Sequence, residues 1–241
     1  MPYSHPQALT REQALGRIRH LLPGAMVFSA VAGFINSIAL GFFHSPVSHM
    51  TGAVSYLGID LAGQRVSDVA ATLTIIIAFV LGAALAGMIV GALQLAPGRS
   101  YGVALMGEGA LLLAAMLLLR VQNGFGVPLI AMACGLQNAT TSSYCGLMIR
   151  TTHVTGTVTD IGVMLGHMVR HRHIERRKLL LMVGTVTAFT TGVWIGALAN
   201  QHWGPSSLLI VAAGCFFAGG VVLTFPQWFT PRATAVSDGR R

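Results

Sequence analysis

Four long stretches of this chain contain no Asp, Glu, Lys or Arg: residues 20–59, 69–98, 121–149 and 179–231. About 20 apolar residues cross the hydrocarbon core of a bilayer as a helix, so the longest stretch holds two crossings and a turn. The pattern predicts six long spans, at 21–43, 67–94, 101–120, 124–149, 179–200 and 205–229. Runs this long and this uniformly apolar suit helices rather than barrel strands, the other structure that satisfies its backbone within lipid. Pro23 fits the first turn of the first span, where a missing N–H costs nothing. Pro97-Gly98, Asn123-Gly124 and Gly204-Pro205 mark turns. Residues 9–20 predict a short interfacial helix, with Thr10 and Gln13 as a capping box and Leu15, Ile18 and Leu22 on one face.

The two halves of the pattern repeat. Gly33-Phe34-Ile35-Asn36 is followed by Ser48-His49-Met50-Thr51-Gly52-Ala53-Val54-Ser55 and Gly58. Gly135-Leu136-Gln137-Asn138 is followed by Thr152-His153-Val154-Thr155-Gly156-Thr157-Val158-Thr159 and Gly162. The Gly/Asn elements lie 102 residues apart and the Thr-Gly elements 104. A third likeness, Gly87-x3-Gly91-Ala92-Leu93 against Gly192-x3-Gly196-Ala197-Leu198, falls at 105. Each copy holds three long spans, and an odd number of crossings reverses the second copy in the membrane. That inference requires the Thr-Gly segments to stop short of crossing. At about 12–15 residues they read as short helices, re-entrant or interfacial. The expected fold is therefore all-α and polytopic, with six transmembrane helices as two inverted three-helix repeats, each with one short helix. The expected segments are 1–20, a cytoplasmic start with the interfacial helix; 21–120, the first repeat; 121–229, the second; and 230–241, a cytoplasmic tail.

Composition and charge support a membrane setting. Hydrophobic residues make up 54% of the 241 and charged residues only 9%, against about 25% in a typical soluble domain. With the N-terminus inside, the inner segments hold 13 of the 15 Lys and Arg, and the outer segments only Arg65 and Arg120. The positive-inside rule then places both termini in the cytoplasm. The net charge of +8 calls for no nucleic acid, because basic inner loops face an anionic leaflet of the lipid bilayer. A cleaved secretory signal is not expected, since the first 20 residues are polar and basic. Cys134, Cys145 and Cys215 lie in apolar runs without CxxC spacing and read as small core residues.

The candidate chemistry gathers on the repeat. Gly52 and Gly156 sit where a short helix starts, with Thr51 and Thr155 beside them. A helix start carries free N–H groups and partial positive charge, suited to a polar or anionic group; the alternative is a tight turn with close packing. Asn36 and Asn138 are amides within spans. They either bond the ends of the short helices or line a pathway. Thr140, Thr141, Ser142, Ser143 and Tyr144 make the fourth span polar, which fits a hydrated cavity or hydroxyls bonded to their own helix. Glu108, between Gly107 and Gly109, is an intramembrane carboxyl: a candidate for proton coupling, or a protonated bond to a neighbouring helix.

Asp160 lies on the second short helix, where the first half has Tyr56. Asp60 is displaced from that register, and Asp68 reads as a helix N-terminal acid. His49 and His153 match, but inversion puts them on opposite sides, so joint metal chelation is not expected. His167 and His171 lack a further ligand at fitting spacing. No metal or cofactor is called for. The glycine pairs of the third likeness allow close helix contact, between repeats or between protomers of a homo-oligomer.

On these residues the chain resembles the YoaK family of bacterial membrane proteins, the domain-of-unknown-function group numbered 1275. Ser48-His49-Met50-Thr51-Gly52-Ala53 is similar to the family's Ser-Asn-Met-Thr-Gly-Asn. Gly135-Leu136-Gln137-Asn138 with Thr155-Gly156-Thr157-Val158-Thr159-Asp160 is similar to its second motif. The likeness covers about residues 20–225 and implies six spans and a bacterial inner-membrane protein, without implying a substrate. His49 and Ala53 replace two Asn, which leaves no amide there and points to a divergent subgroup.

The sequence reading is a small-molecule or ion transporter with a site between the repeats. The site would be framed by Asn36, His49, Thr51, Gly52, Asn138, His153, Thr155, Gly156 and Asp160, with Glu108 as the coupling group. A non-transporting scaffold or accessory subunit is the alternative. An enzyme is not expected, because HExxH, GxSxG, GxxxxGK[ST] and paired catalytic carboxylates are absent. A water-accessible cavity near mid-membrane lined by Asn36, Asn138 and Thr155 favours transport; tight apolar packing there sinks that model and favours the scaffold.

Overall fold

A computed structural model describes residues 11–43, 47–90, 98–142, 153–171 and 175–226. The described residues are helical, with no strand among them. In chain order the helices are α1 (Arg11–Phe43), α2 (Met50–Ala62), α3 (Val66–Val90), α4 (Arg99–Arg120), α5 (Gly126–Ser142), α6 (Val154–His171), α7 (Arg176–Trp203) and α8 (Leu208–Thr224). A 3-10 turn, Gly204–Ser207, joins the last two. The ends of three expected spans, at 91–94, 143–149 and 227–229, and the tail at 230–241, lie outside the described residues.

One boundary differs from expectation. The interfacial helix at 9–20 and the first span are one helix from Arg11, and Pro23 sits inside it instead of in its first turn. Proline removes a single i→i−4 bond, and the helix continues through both Pro23 and Gly24.

Four stretches are long and apolar enough to cross a membrane: Leu22–Phe42, Val66–Val90, Arg99–Arg120 and Arg176–Thr224. The last has 49 residues. As one helix it would be more than twice the ~30 Å hydrocarbon thickness. Gly204, at φ +55°, breaks it into α7 and α8; that left-handed conformation suits glycine. Side chains are sorted as a lipid solvent requires. On α3, Ile77, Val80, Leu81 and Met88 are exposed while Ala78, Gly82 and Ala86 are buried. Small residues inward let helices approach, and large apolar ones outward meet a solvent as apolar as themselves.

Three helix pairs form the body. In α1 against α7, a Cβ at Gly33 would collide with the Phe189 carbonyl, and one at Gly192 with that of Ala30. Gly184 faces Met26 and Gly41 faces Asn200, so the two helices are parallel. In α3 against α5, a Cβ at Gly135 would collide with the Phe79 carbonyl, and one at Gly82 with that of Met132. These interfaces match residue for residue. Ala30 and Gly33 lie 102 positions before Met132 and Gly135, and Phe79 and Gly82 lie 110 before Phe189 and Gly192. In the third pair, Gly102 faces Gly219 and Gly109 faces Ala212, so α4 and α8 are antiparallel. The same shift of 110 exchanges those two contacts.

The third sequence likeness is thereby corrected. The counterpart of Gly192 is Gly82, not Gly87, where a Cβ would meet nothing within 4 Å; Gly91 lies outside the described residues. Phe79-x2-Gly82-x3-Ala86 matches Phe189-x2-Gly192-x3-Gly196. The offset grows because α6 has 18 residues and α2 has 13, and the connection to the following helix is one residue longer. Gly192 and Gly196 are spent on α1 within the chain, so they do not form a surface for another protomer.

Helix directions complete the picture. Gly126 packs on Leu119 while Gly107 meets Leu136, making α4 and α5 antiparallel. Beyond the 3-10 turn, α8 doubles back along α4 and α1. Thus α1, α4 and α7 run one way and α3, α5 and α8 the other. The chain reverses direction across α2 and again across α6.

Candidate functional site

The first Thr-Gly segment is tied to the core. Asn36, 3% exposed in the last third of α1, accepts a hydrogen bond of 2.7 Å from the Ser48 hydroxyl. Ser48 lies just before α2, so the span amide holds the entry to the short helix, the first of its two expected roles. His49 stands at the α2 N-cap, but its side chain does not cap the helix. Its ring meets Phe189 of α7 edge-on, with centroids 5.4 Å apart. The His49 carbonyl accepts from the Gly52 and Ala53 N–H groups at 3.0 and 3.3 Å. Thr51 is exposed and Gly52 half-buried.

The second segment is built otherwise. His153 is exposed and its imidazole folds over Gly156, where a Cβ would strike it. Thr155 and Asp160 are exposed on α6, which packs chiefly on α7. Asn138 is half-buried on α5. The neighbouring hydroxyls turn inward on their own helix: Thr140 donates to the Leu136 carbonyl at 2.7 Å and Thr141 to that of Gln137 at 3.0 Å. Ser143 and Tyr144 lie outside the described residues. The structure therefore joins Asn36, Ser48 and His49 but does not bring Thr155, Gly156 or Asp160 to them. Around Asn36 the packing is close, with Phe34, Ile35 and Ile38 in the main apolar cluster.

A second polar group lies deeper. Glu108 on α4 is 2% exposed. Its glycine neighbours admit Leu136 of α5 on one side and Ala212 of α8 on the other, and these helices enclose the carboxyl. The Cys215 thiol hydrogen-bonds it, while Oε1 has no hydrogen-bond partner among the described residues. Gln137 on α5 is equally buried, and neither polar atom of its amide has a partner there. Unpaired polar atoms in an apolar interior cost free energy, and an acid within membrane spans is a candidate for function. Sequence spacing does not separate Gln137 from Asn138. What singles it out is α5 itself, which is enclosed by α3, α4 and α1 so that Ala133 to Gln137 are all buried.

A third feature is a cavity of about 730 Å³ between the α2–α3 turn and the α4–α5 loop. There Arg65 pairs with buried Asp60 at 2.5 Å and reaches Asp68 at 3.6 Å. The three charges fall within nine residues of one another, and the turn at Gly63–Arg65 sets them face to face.

Apolar spans with large side chains outward, small ones inward and isolated polar groups enclosed define a membrane-embedded helical protein. The chain belongs to the family described as protein of unknown function (DUF1275), whose model matches residues 24–222. No curated protein and no solved structure matches it.

Proposed function

We propose that this chain is a small-molecule or ion transporter of the bacterial inner membrane, with both termini cytoplasmic. It would have six crossings arranged as two inverted repeats, α1–α4 and α5–α8. The matched interfaces support that arrangement, as do the opposed directions of each helix and its counterpart: α1 and α5, α3 and α7, α4 and α8. The observation that carries the transport reading is the buried Glu108 carboxyl with an unpartnered oxygen, one helix away from the unpartnered amide of Gln137. An intramembrane acid enclosed by three helices is suited to holding and releasing a proton or cation. The centre of the site thus moves from the Thr-Gly segments to Glu108 and Gln137, with Asn36 and Ser48 as a structural tie.

The close packing around Asn36 sinks the transport site framed on the repeated motif and favours the scaffold reading, so transport rests on the Glu108 centre alone. Proteoliposomes separate the two. Transport predicts flux of some member of a metabolite and ion panel under a proton gradient, and loss of that flux in Glu108→Gln. No flux from folded protein across the panel supports the scaffold. Equal flux in Glu108→Gln and Gln137→Leu removes the proposed centre. For the inversion, single cysteines at Ser55 and Thr159, exposed counterparts on α2 and α6, should label from opposite faces of the membrane; labelling from one face contradicts it.

A further inference from the structure

The cavity between the α2–α3 turn and the α4–α5 loop belongs neither to the repeated motif nor to the Glu108 centre. We propose that it is a binding site for a small organic cation. Its volume of about 730 Å³ falls within the range of small-molecule sites. Its walls carry two carboxylates, Asp60 and Asp68, against one guanidinium, Arg65. Arg65 is engaged by both acids, at 2.5 and 3.6 Å, so its charge is already offset and an anion beside it would meet two carboxylates. The surplus negative charge is left on the more open acid: the Asp68 side chain is 55% exposed and that of Asp60 8%.

Two aromatic side chains stand on different walls. Tyr56 comes from α2 and Phe125 from the α4–α5 loop, and they are 44% and 72% exposed. The Asn123 side chain accepts the Phe125 N–H at 3.0 Å and shapes the loop that carries the ring. Aromatic faces attract cations, most strongly where an acid lies nearby and water is partly excluded. Ile75 on α3 adds an apolar wall for a methylated or alkyl group. An acid, two rings and an apolar wall match an alkylammonium and offer little to an anion or a sugar.

On the arrangement proposed above, the cavity opens at the outer face, at the opposite end of α4 from the basic inner segments. The site itself rests on the cavity and not on transport. The test uses the full chain in nanodiscs of neutral lipid. Calorimetric titration with tetramethylammonium, choline and putrescine is compared with 3,3-dimethylbutan-1-ol, the uncharged analogue of choline. At least one cation should bind saturably, more weakly at high salt, and the alcohol should not. Asp68→Asn should weaken binding about fivefold, and Phe125→Ala about threefold to tenfold. Both positions are exposed, so the thermal midpoint should hold. Absence of binding by all three cations overturns the proposal, as does equal binding of the alcohol or parent-like affinity in both variants. Cation binding without any flux would refute the transport reading and leave this site standing; flux without cation binding would do the reverse.

Discussion

α2 and α6 begin alike and end differently. Both open on His-x-Thr-Gly, and both lie where the chain reverses between antiparallel spans. α2 stops after 13 residues in a turn braced by Asp60 and Arg65, whose N–H also donates to the Asp60 carbonyl at 3.0 Å. α6 continues for 18 residues and leaves Val158, Val163, Leu165, Met168 and Val169 exposed. The spans they connect kept matched contacts across both halves. The reason is steric: where backbone touches backbone, no side chain is free to vary, whereas a connector that packs on one neighbour has several. Symmetry therefore survives in the spans, and chemical difference accumulates in the connectors.

That contrast can be broken most strongly in the spans. Gly33→Ala and its counterpart Gly135→Ala should each cost about 2–4 kcal/mol, because the added carbon meets a backbone carbonyl that cannot swing away. Thermal unfolding in detergent should show similar losses for the two. Gly87→Ala, in open space, should be neutral or stabilising by up to ~1 kcal/mol through helix propensity. A loss at Gly87 as large as that at Gly33 would restore the pairing of Gly87 with Gly192.

Next in size is the braced turn. Arg65→Ala leaves Asp60 buried without its cation and should cost about 2 kcal/mol, discounted for the half-exposed arginine. Asp160→Asn on exposed α6 should stay within about 0.5 kcal/mol. Chemical denaturation of the pair of variants measures the gap, and equal effects would deny that the connectors differ. The Asn36–Ser48 tie is comparable: Ser48→Ala should cost about 1–2 kcal/mol by orphaning a buried amide oxygen. Protease cleavage between α1 and α2 should rise with it. The smallest effect belongs to Gly156→Ala, about 0.5 kcal/mol or less, since the obstructing His153 ring is exposed and can rotate. An effect there as large as at Gly135 would mean that the imidazole is held in place.

Much of the helical body was legible because charge is so scarce: Arg19, Asp60, Asp68, Arg99, Arg120, Arg150, Lys178 and Arg232 delimit the apolar runs. The short helices were legible from the repeated Thr-Gly motif. The change of offset from 104 to 110 was not, since Gly87 and Gly91 present a plausible but wrong match and only the contact of Gly82 with Met132 identifies the right one. The role of Asn36 was left open between two alternatives, and the structure shows the bond to Ser48 that the first of them requires. Gln137 was hidden because burial of α5 depends on which helices surround it, a long-range property. The cavity was hidden for a similar reason. Asp60 and Asp68 acquire meaning only when a turn folds Arg65 between them and a distant loop supplies Phe125.

The reciprocal glycine contacts also have a mechanical consequence. Each of the pairs α1–α7 and α3–α5 is fastened at two places where main chains touch, so neither can roll or slide without atoms overlapping. Each pair behaves as a stiff strut. Between the struts, α1 meets α5 and α8 through Ile35, Ile38, Val211 and their neighbours, where side chains rather than main chains make the contact. A displacement within either pair would meet those main-chain contacts at once, so the side-chain seam between the pairs is where steric resistance is lowest.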